Sequence, residues 1–316
     1  MTPAIGPEMG AILERLRAAP GLDFRAMPVA EARPLVDAAT IPWSQGAPAM
    51  AARDLVVPLE GRGLAARLYE PADAADEGVI VYAHGGGWTF GSIETHDGTM
   101  RVLAEAARRR VLGVDYRLAP EHPFPAPLDD VLGAVAFVEA GGLGRPLAAD
   151  RIALSGDSAG ATLALGALLA RRDRGLAPLA GAGLFYGCYA PDCDTPSHAA
   201  FGDGRYLLST ANMRWYWGNF LDAGGPDPAH YATPLRAELS GLPPLYLAAA
   251  GLDPLRDDTL ALAAALARAG VAARCDHVPG VVHGCLRMAR ELPPALAMIR
   301  AGAAHLAECL GTEARR

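Results

Sequence analysis

Arg151-Ile152-Ala153-Leu154-Ser155-Gly156-Asp157-Ser158-Ala159-Gly160 is the stretch on which the fold turns. Arg151–Leu154 reads as a short buried strand, and Ala159–Ala170 as the helix that follows it. The five residues Gly156–Gly160 match G-x-S-x-G, in which a serine sits on a sharp strand-to-helix turn. Small residues on either side of the serine let strand and helix approach closely. Its hydroxyl is then presented at a helix N-terminus, where backbone N–H groups favour developing negative charge.

Working outward, short apolar runs alternate with helical stretches. VIVYAHG, VLGVDY, RIALSGDS, GAGLFYG, LYLAAAG and VAARCDHV are apolar throughout, the mark of strands buried on both faces of a mostly parallel sheet. Helices are expected over Thr99–Arg110, Pro127–Glu139, Ala159–Arg172, Leu255–Arg268 and Pro294–Cys309. DLVVPLE and LAARLYEP, flanking Gly61–Gly63, predict an antiparallel hairpin that opens the core. The fold class is therefore a doubly wound α/β architecture. Residues 1–50 look helical and irregular, with Pro28, Pro34, Pro42 and Pro48 breaking any long helix. Residues 189–235 interrupt the alternation with Tyr189, Tyr206, Trp215, Tyr216, Trp217, Phe220 and Tyr231. The expectation is a core over 51–188 and 236–316, with 1–50 and 189–235 forming a cap over a pocket.

Composition removes several functions. The 316 residues carry 28 basic and 35 acidic side chains, a net −7 that argues against nucleic acid as partner. Every basic residue is arginine; there is no lysine. Schiff-base chemistry, a Walker lysine and a Ser-Lys mechanism are thereby excluded. No segment offers the roughly 18 uninterrupted apolar residues of a membrane span. The N-terminal stretch lacks the basic start and apolar run of a signal peptide. Five cysteines without CxxC spacing predict neither a metal site nor a disulfide framework, and fit the cytoplasm.

The nucleophile needs partners. His84-Gly85-Gly86-Gly87-Trp88 follows the strand Val79–Ala83, and three glycines there allow amides to point into a cleft. With the Ala159 N–H they would form an oxyanion hole, while His84 is expected to hydrogen-bond its own turn. A serine also needs a base and an orienting acid, in the chain order Ser, Asp/Glu, His. His198 and His230 fall in the expected cap, His305 in the last helix and His277 on a strand. His283, in the loop Pro279–Gly284, stands at a strand's carboxyl end, where catalytic groups of open α/β sheets gather. Asp253 lies at the exit of the strand Leu245–Ala250 and is the expected orienter. Asp257 and Asp258 suit a helix N-terminus better.

On these residues the sequence resembles the bacterial hormone-sensitive-lipase-like esterases, family IV of the lipolytic enzymes, within the α/β-hydrolase superfamily. HGGGW, GDSAG, DPLRD and HG match that family's motifs, as does Asp115–Ala126 (DYRLAPEHPFPA), and Asp157 places the chain in the GDSAG branch. The resemblance, from about residue 50 to the C-terminus, implies a carboxylesterase for short or medium acyl chains that needs no metal or cofactor. It implies Ser158, Asp253 and His283 as the triad and Gly86, Gly87 and Ala159 as oxyanion donors, with Gly85 shaping the loop. Cys285 stands where the family has phenylalanine after HG, and Asp258 where it often has glutamate. Trp88, Asp157, Tyr206, Trp215, Trp217 and Cys285 are the expected pocket residues. The expected partner is a small-molecule ester, and a homodimer is allowed for. The alternatives are an amidase or lactonase on the same triad, or a binding protein that kept the fold; the presence of all three triad residues speaks against the last.

Overall fold

Alternate residues of the central strands belong to two different cores. Val79, Val81 and Ala83 enter one and Ile80 and Tyr82 the other, as the two-residue period of a strand requires. That double burial explains why these strands read as unbroken apolar runs. The computed structural model describes residues 5–19, 21–74, 78–221 and 230–311. Two helices, α1 (Pro7–Ala18) and α2 (Val29–Thr40), precede a hairpin of β1 (Ala51–Leu59) and β2 (Arg62–Glu70). The alternating core runs β3 (Val79–Ala83), α3 (Ile93–Ala107), β4 (Arg110–Val114), α4 (Ala126–Glu139), β5 (Ile152–Asp157), α5 (Ala159–Asp173) and β6 (Gly181–Phe185). Helices α6 (Pro196–Phe201) and α7 (Thr210–Leu221) follow, then β7 (Leu245–Leu252), α8 (Arg256–Arg268), β8 (Ala273–Val282) and α9 (Pro293–Gly311).

The eight strands form one sheet in the order β1-β2-β4-β3-β5-β6-β7-β8, parallel from β4 onward and antiparallel through the opening hairpin. Helices α4, α5 and α8 supply one core, while α1, α3 and α9 supply the other. Strands β1 and β8 are the edges, and each contains a proline, Pro58 and Pro279.

Three of the differences from the expected elements have a clear cause or consequence. Helix α3 begins at Ile93 rather than Thr99, because Ser92 and Thr95 form a reciprocal capping box (Thr95 N to Ser92 Oγ 3.3 Å, Ser92 N to Thr95 Oγ1 2.8 Å). Pro34 lies inside α2 rather than ending it. Strand β8 runs through Pro279 and Gly280 to Val282, where Leu252 pairs with Val282 after a register shift at Ala250–Leu252. The buried Val281 and Val282 hold that extension in place, so His283 follows a strand end directly instead of sitting mid-loop. The described residues of 189–235 contribute α6 and α7 and no strand of the sheet. Of the expected cap, residues 1–4, 20 and 222–229 lie outside the described residues.

Candidate active site

Ser158 is the hinge between β5 and α5, with φ 53° and ψ −122°, a left-handed backbone that only a strained turn imposes on serine. The turn is held by Ser158 N donating to Phe185 O at 2.8 Å. Glycine is required on both sides. A Cβ on Gly156 would stand 2.7 Å from Ala83 O, and one on Gly160 would strike the same carbonyl and lie 2.6 Å from His84 O.

The base and acid arrive from neighbouring strand ends. His283 Nε2 is 2.9 Å from Ser158 Oγ, and His283 Nδ1 is 2.7 Å from Asp253 Oδ2. Asp253 is fully buried, and its second oxygen accepts from Leu255 N at 2.8 Å. That bond fixes the carboxylate plane, so the imidazole is held in one orientation. His277 lies on exposed strand β8, as its position suggested, away from this chain of contacts. Tyr186, whose φ of 38° is also left-handed, packs its ring on His283 with centroids 4.8 Å apart. The sequence reading missed it, although an aromatic just past the end of a core strand was a usable sign.

The glycine loop turns back on itself: Thr89 N and Phe90 N both donate to Gly86 O. Gly86 (φ 120°) and Gly87 (φ 60°) need conformations that suit glycine alone. The N–H groups of Gly86, Gly87 and Ala159 donate to no described residue. The Gly85 N–H, by contrast, is taken up by Asp157 Oδ1 at 2.9 Å. His84 bonds its own turn through Nδ1 to Gly85 O at 2.8 Å and stacks on Tyr116, whose hydroxyl donates to His84 O at 2.7 Å. Burial, aided by nearby His96, depresses the His84 pKa to about 3, so the ring stays neutral. From the other side α2 reaches in: Arg33 donates to Thr89 O at 3.0 Å and Ala119 O at 3.1 Å while it grips Glu121.

Five of the six expected pocket residues are buried. Asp157 is a buried anchor: its carboxylate receives Tyr82 OH at 2.7 Å and the Gly85 N–H, with Tyr186 OH at 3.4 Å and His96 Nε2 at 3.5 Å. Burial pushes its pKa up, but His96 and the Tyr82 hydroxyl outweigh that and bring it down to about 2. Trp88 is wholly buried, stacked on Phe220 at 4.0 Å and against Trp217 at 4.5 Å. Trp217 belongs to the same core because Met213, Trp217 and Phe220 form one buried helical stripe of α7. Cys285 is buried with its Sγ 3.8 Å from Met298 Sδ in α9, and burial raises its thiol pKa well above the usual range. Tyr206 is also buried, edge-on to Phe201. Only Trp215 stays partly exposed, against Phe24 and Phe90. The residue that meets the glycine loop is Tyr216, whose ring occupies the space a Cβ on Gly87 would need.

A cleft of about 490 Å³ lies apart from these groups, lined by Arg172, Asp173, His230, Arg236 and Glu238. Its charges are already paired, with His230 on Asp173 at 2.9 Å and Arg236 on Asp192 at 3.0 Å. Among the described residues no group of three or more His, Cys, Asp or Glu is placed to hold a metal ion. All five cysteines are free thiols, and no described helix is long and apolar enough to cross a membrane.

Comparison with known proteins identifies the family. A family model described as the alpha/beta hydrolase fold matches residues 80–287. Esterase LipI of Mycobacterium tuberculosis is 41% identical over 251 residues, covering 77% of each chain. Carboxylesterase NlhH of the same species is 37% identical over 250 residues, 77% of this chain and 78% of that one. An alpha/beta hydrolase enzyme from the metagenome of Lake Arreo superposes with a TM-score of 0.91 at 33% identity, over 98% of this chain and 99% of the other. The elbow serine, the hydrogen-bonded histidine and aspartate, and these likenesses together make the chain a member of the α/β-hydrolase-fold family, in its hormone-sensitive-lipase-like branch.

Proposed function

We propose that this chain is a serine carboxylesterase that cleaves esters of short to medium acyl chains through an acyl-enzyme. The observation that carries the reading is the unbroken hydrogen-bonded chain Ser158–His283–Asp253 at 2.9 and 2.7 Å. Ser158 Oγ attacks the ester carbonyl while His283 Nε2 takes its proton, and Asp253 steadies the imidazolium that results. The tetrahedral oxyanion is held by the N–H groups of Gly86, Gly87 and Ala159, which have no other acceptor among the described residues. Collapse breaks the bond to the alcohol, which leaves with the proton from His283. Water then attacks the acyl-enzyme by the same proton route and releases the acid and free Ser158.

Residues 1–50 and 189–235 act as the cap in this reading. Support comes from Phe24 of the first segment and Tyr216 of the second, stacked 5.8 Å apart beside the glycine loop. Five free thiols support a cytoplasmic setting. The test is hydrolysis of 4-nitrophenyl butyrate by purified wild-type and variant protein. Ser158→Ala and His283→Ala each lower kcat by at least about a thousandfold, since the triad acts as a unit, whereas His277→Ala leaves it near wild type. Normal turnover by Ser158→Ala would remove the mechanism.

A further inference from the structure

Most arginines of this chain that approach the core hold a carboxylate: Arg33 binds Glu121, Arg117 binds Asp130 and Arg171 binds Glu139. Arg287 does not. It makes no hydrogen bond or ion pair with any described residue, and its Nε is buried without a partner. It stands on the short 3₁₀ turn Cys285–Met288 that immediately follows His283 and Gly284. Its guanidinium lies over Gly284, with Cζ and Nη2 3.6 Å from where a Cβ would stand. Its charge is also felt by the Tyr216 hydroxyl, on the residue whose ring covers Gly87, where burial otherwise holds the pKa far above the usual one. The side chain is partly exposed, not sealed in the core. A delocalised cation without a described protein partner, its Nε buried, is thus left beside Gly284, next to the histidine.

We infer that Arg287 binds an anionic group on the substrate, so that the esters this site prefers carry a carboxylate close to the scissile bond. This inference rests on the esterase reading and narrows its substrate class. An unpaired guanidinium half out of water gains most from a planar carboxylate, which its fork meets with two parallel hydrogen bonds. A neutral ester leaves the buried Nε without an acceptor, an unfavourable condition for a desolvated donor. The carboxylate could belong to the acid or to the alcohol of the ester, and the experiment separates the two.

Two matched pairs of esters are compared by kcat/KM, with products followed by proton NMR. Dimethyl and monomethyl glutarate test a carboxylate on the acyl side, while ethyl acetate and acetoxyacetate test one on the alcohol side. In at least one pair the anionic ester is the better substrate, and Arg287→Gln lowers its advantage by about tenfold to a hundredfold, the range expected for a charge-assisted hydrogen bond. Arg290→Gln, which alters an exposed arginine two residues past that turn, leaves the ratio where it was. Should Arg287→Gln not fold, the wild-type ratio still has to fall as salt rises from about 0.01 M to about 1 M. Neutral esters preferred in both pairs, a ratio unmoved by Arg287→Gln, or one indifferent to salt overturns the inference while the esterase reading stands. Failure to hydrolyse any of the four overturns both.

Discussion

Asp253 follows the end of β7 and Asp258 stands in the first turn of α8, and both are buried. What separates them is company. Asp253 faces an imidazole, whereas Asp258 has only the backbone N–H groups of Tyr189 and Ala190. Burial, with the Asp253 charge adding to it, therefore raises the Asp258 pKa to about 7. Because the folded pKa lies above the unfolded one, the protonated group contributes stability fully below about pH 4, and that stability drains away as pH climbs through 7. Asp258→Asn keeps an oxygen for the N–H groups and cannot ionise. It should match wild type near pH 4 and exceed it by a few kcal/mol (order of magnitude) near pH 8, read from urea unfolding. A variant no more stable at pH 8 than at pH 4, relative to wild type, would contradict the assignment. The sequence could name Ser158, Asp253 and His283 because chain order and strand-end position are local properties. It could not place Asp157 or Arg287, whose surroundings come from Tyr82, Tyr186 and Tyr216, far away along the chain.

At the level of elements, helix α7 shows how a reading of composition goes astray. Its aromatics looked like a pocket wall, but the 3.6-residue period sends Trp217 and Phe220 inward against Trp88 and leaves Tyr216 beside the loop. Counting the buried stripe Met213, Trp217, Phe220 first would have picked Tyr216. The two positions should separate experimentally. Trp88→Ala lowers stability by about 3–5 kcal/mol through the lost stack without moving the acyl-length optimum. Tyr216→Ala shifts that optimum to longer chains. An optimum that moves with Trp88 instead would restore Trp88 to the pocket. The sheet itself was legible almost strand for strand, since unalternating apolar runs have few other uses. The start of α3 and the end of β8 were less so. One depends on a two-residue cap, and the other on a pairing with Leu252 that no local pattern announces.

For the molecule as a whole, the cap proposed above would set Phe24 and Tyr216 beside Gly87 as the bound on an acyl chain. Each methylene buried there helps by roughly 0.8 kcal/mol until the wall is met, and overpacking then reverses the gain. Across 4-nitrophenyl esters from acetate to palmitate, kcat/KM should peak at about two to eight carbons. Faster cleavage of palmitate than of butyrate would contradict a walled pocket.

The two outer strands have a consequence of their own. A sheet with open sides invites another chain to continue it, and this one is guarded at both sides. Pro58 and Pro279 each remove a donor from the row a newcomer would need. Charged pairs stand beside them, Asp54 with Arg67 at 2.6 Å on one side and Asp276 with Arg274 at 2.8 Å on the other. Val56, 65% exposed, lies on the first of these sides, two residues from Pro58. Fibre-like stacking, the hazard of so apolar a sheet, is thereby hindered at its two points of entry.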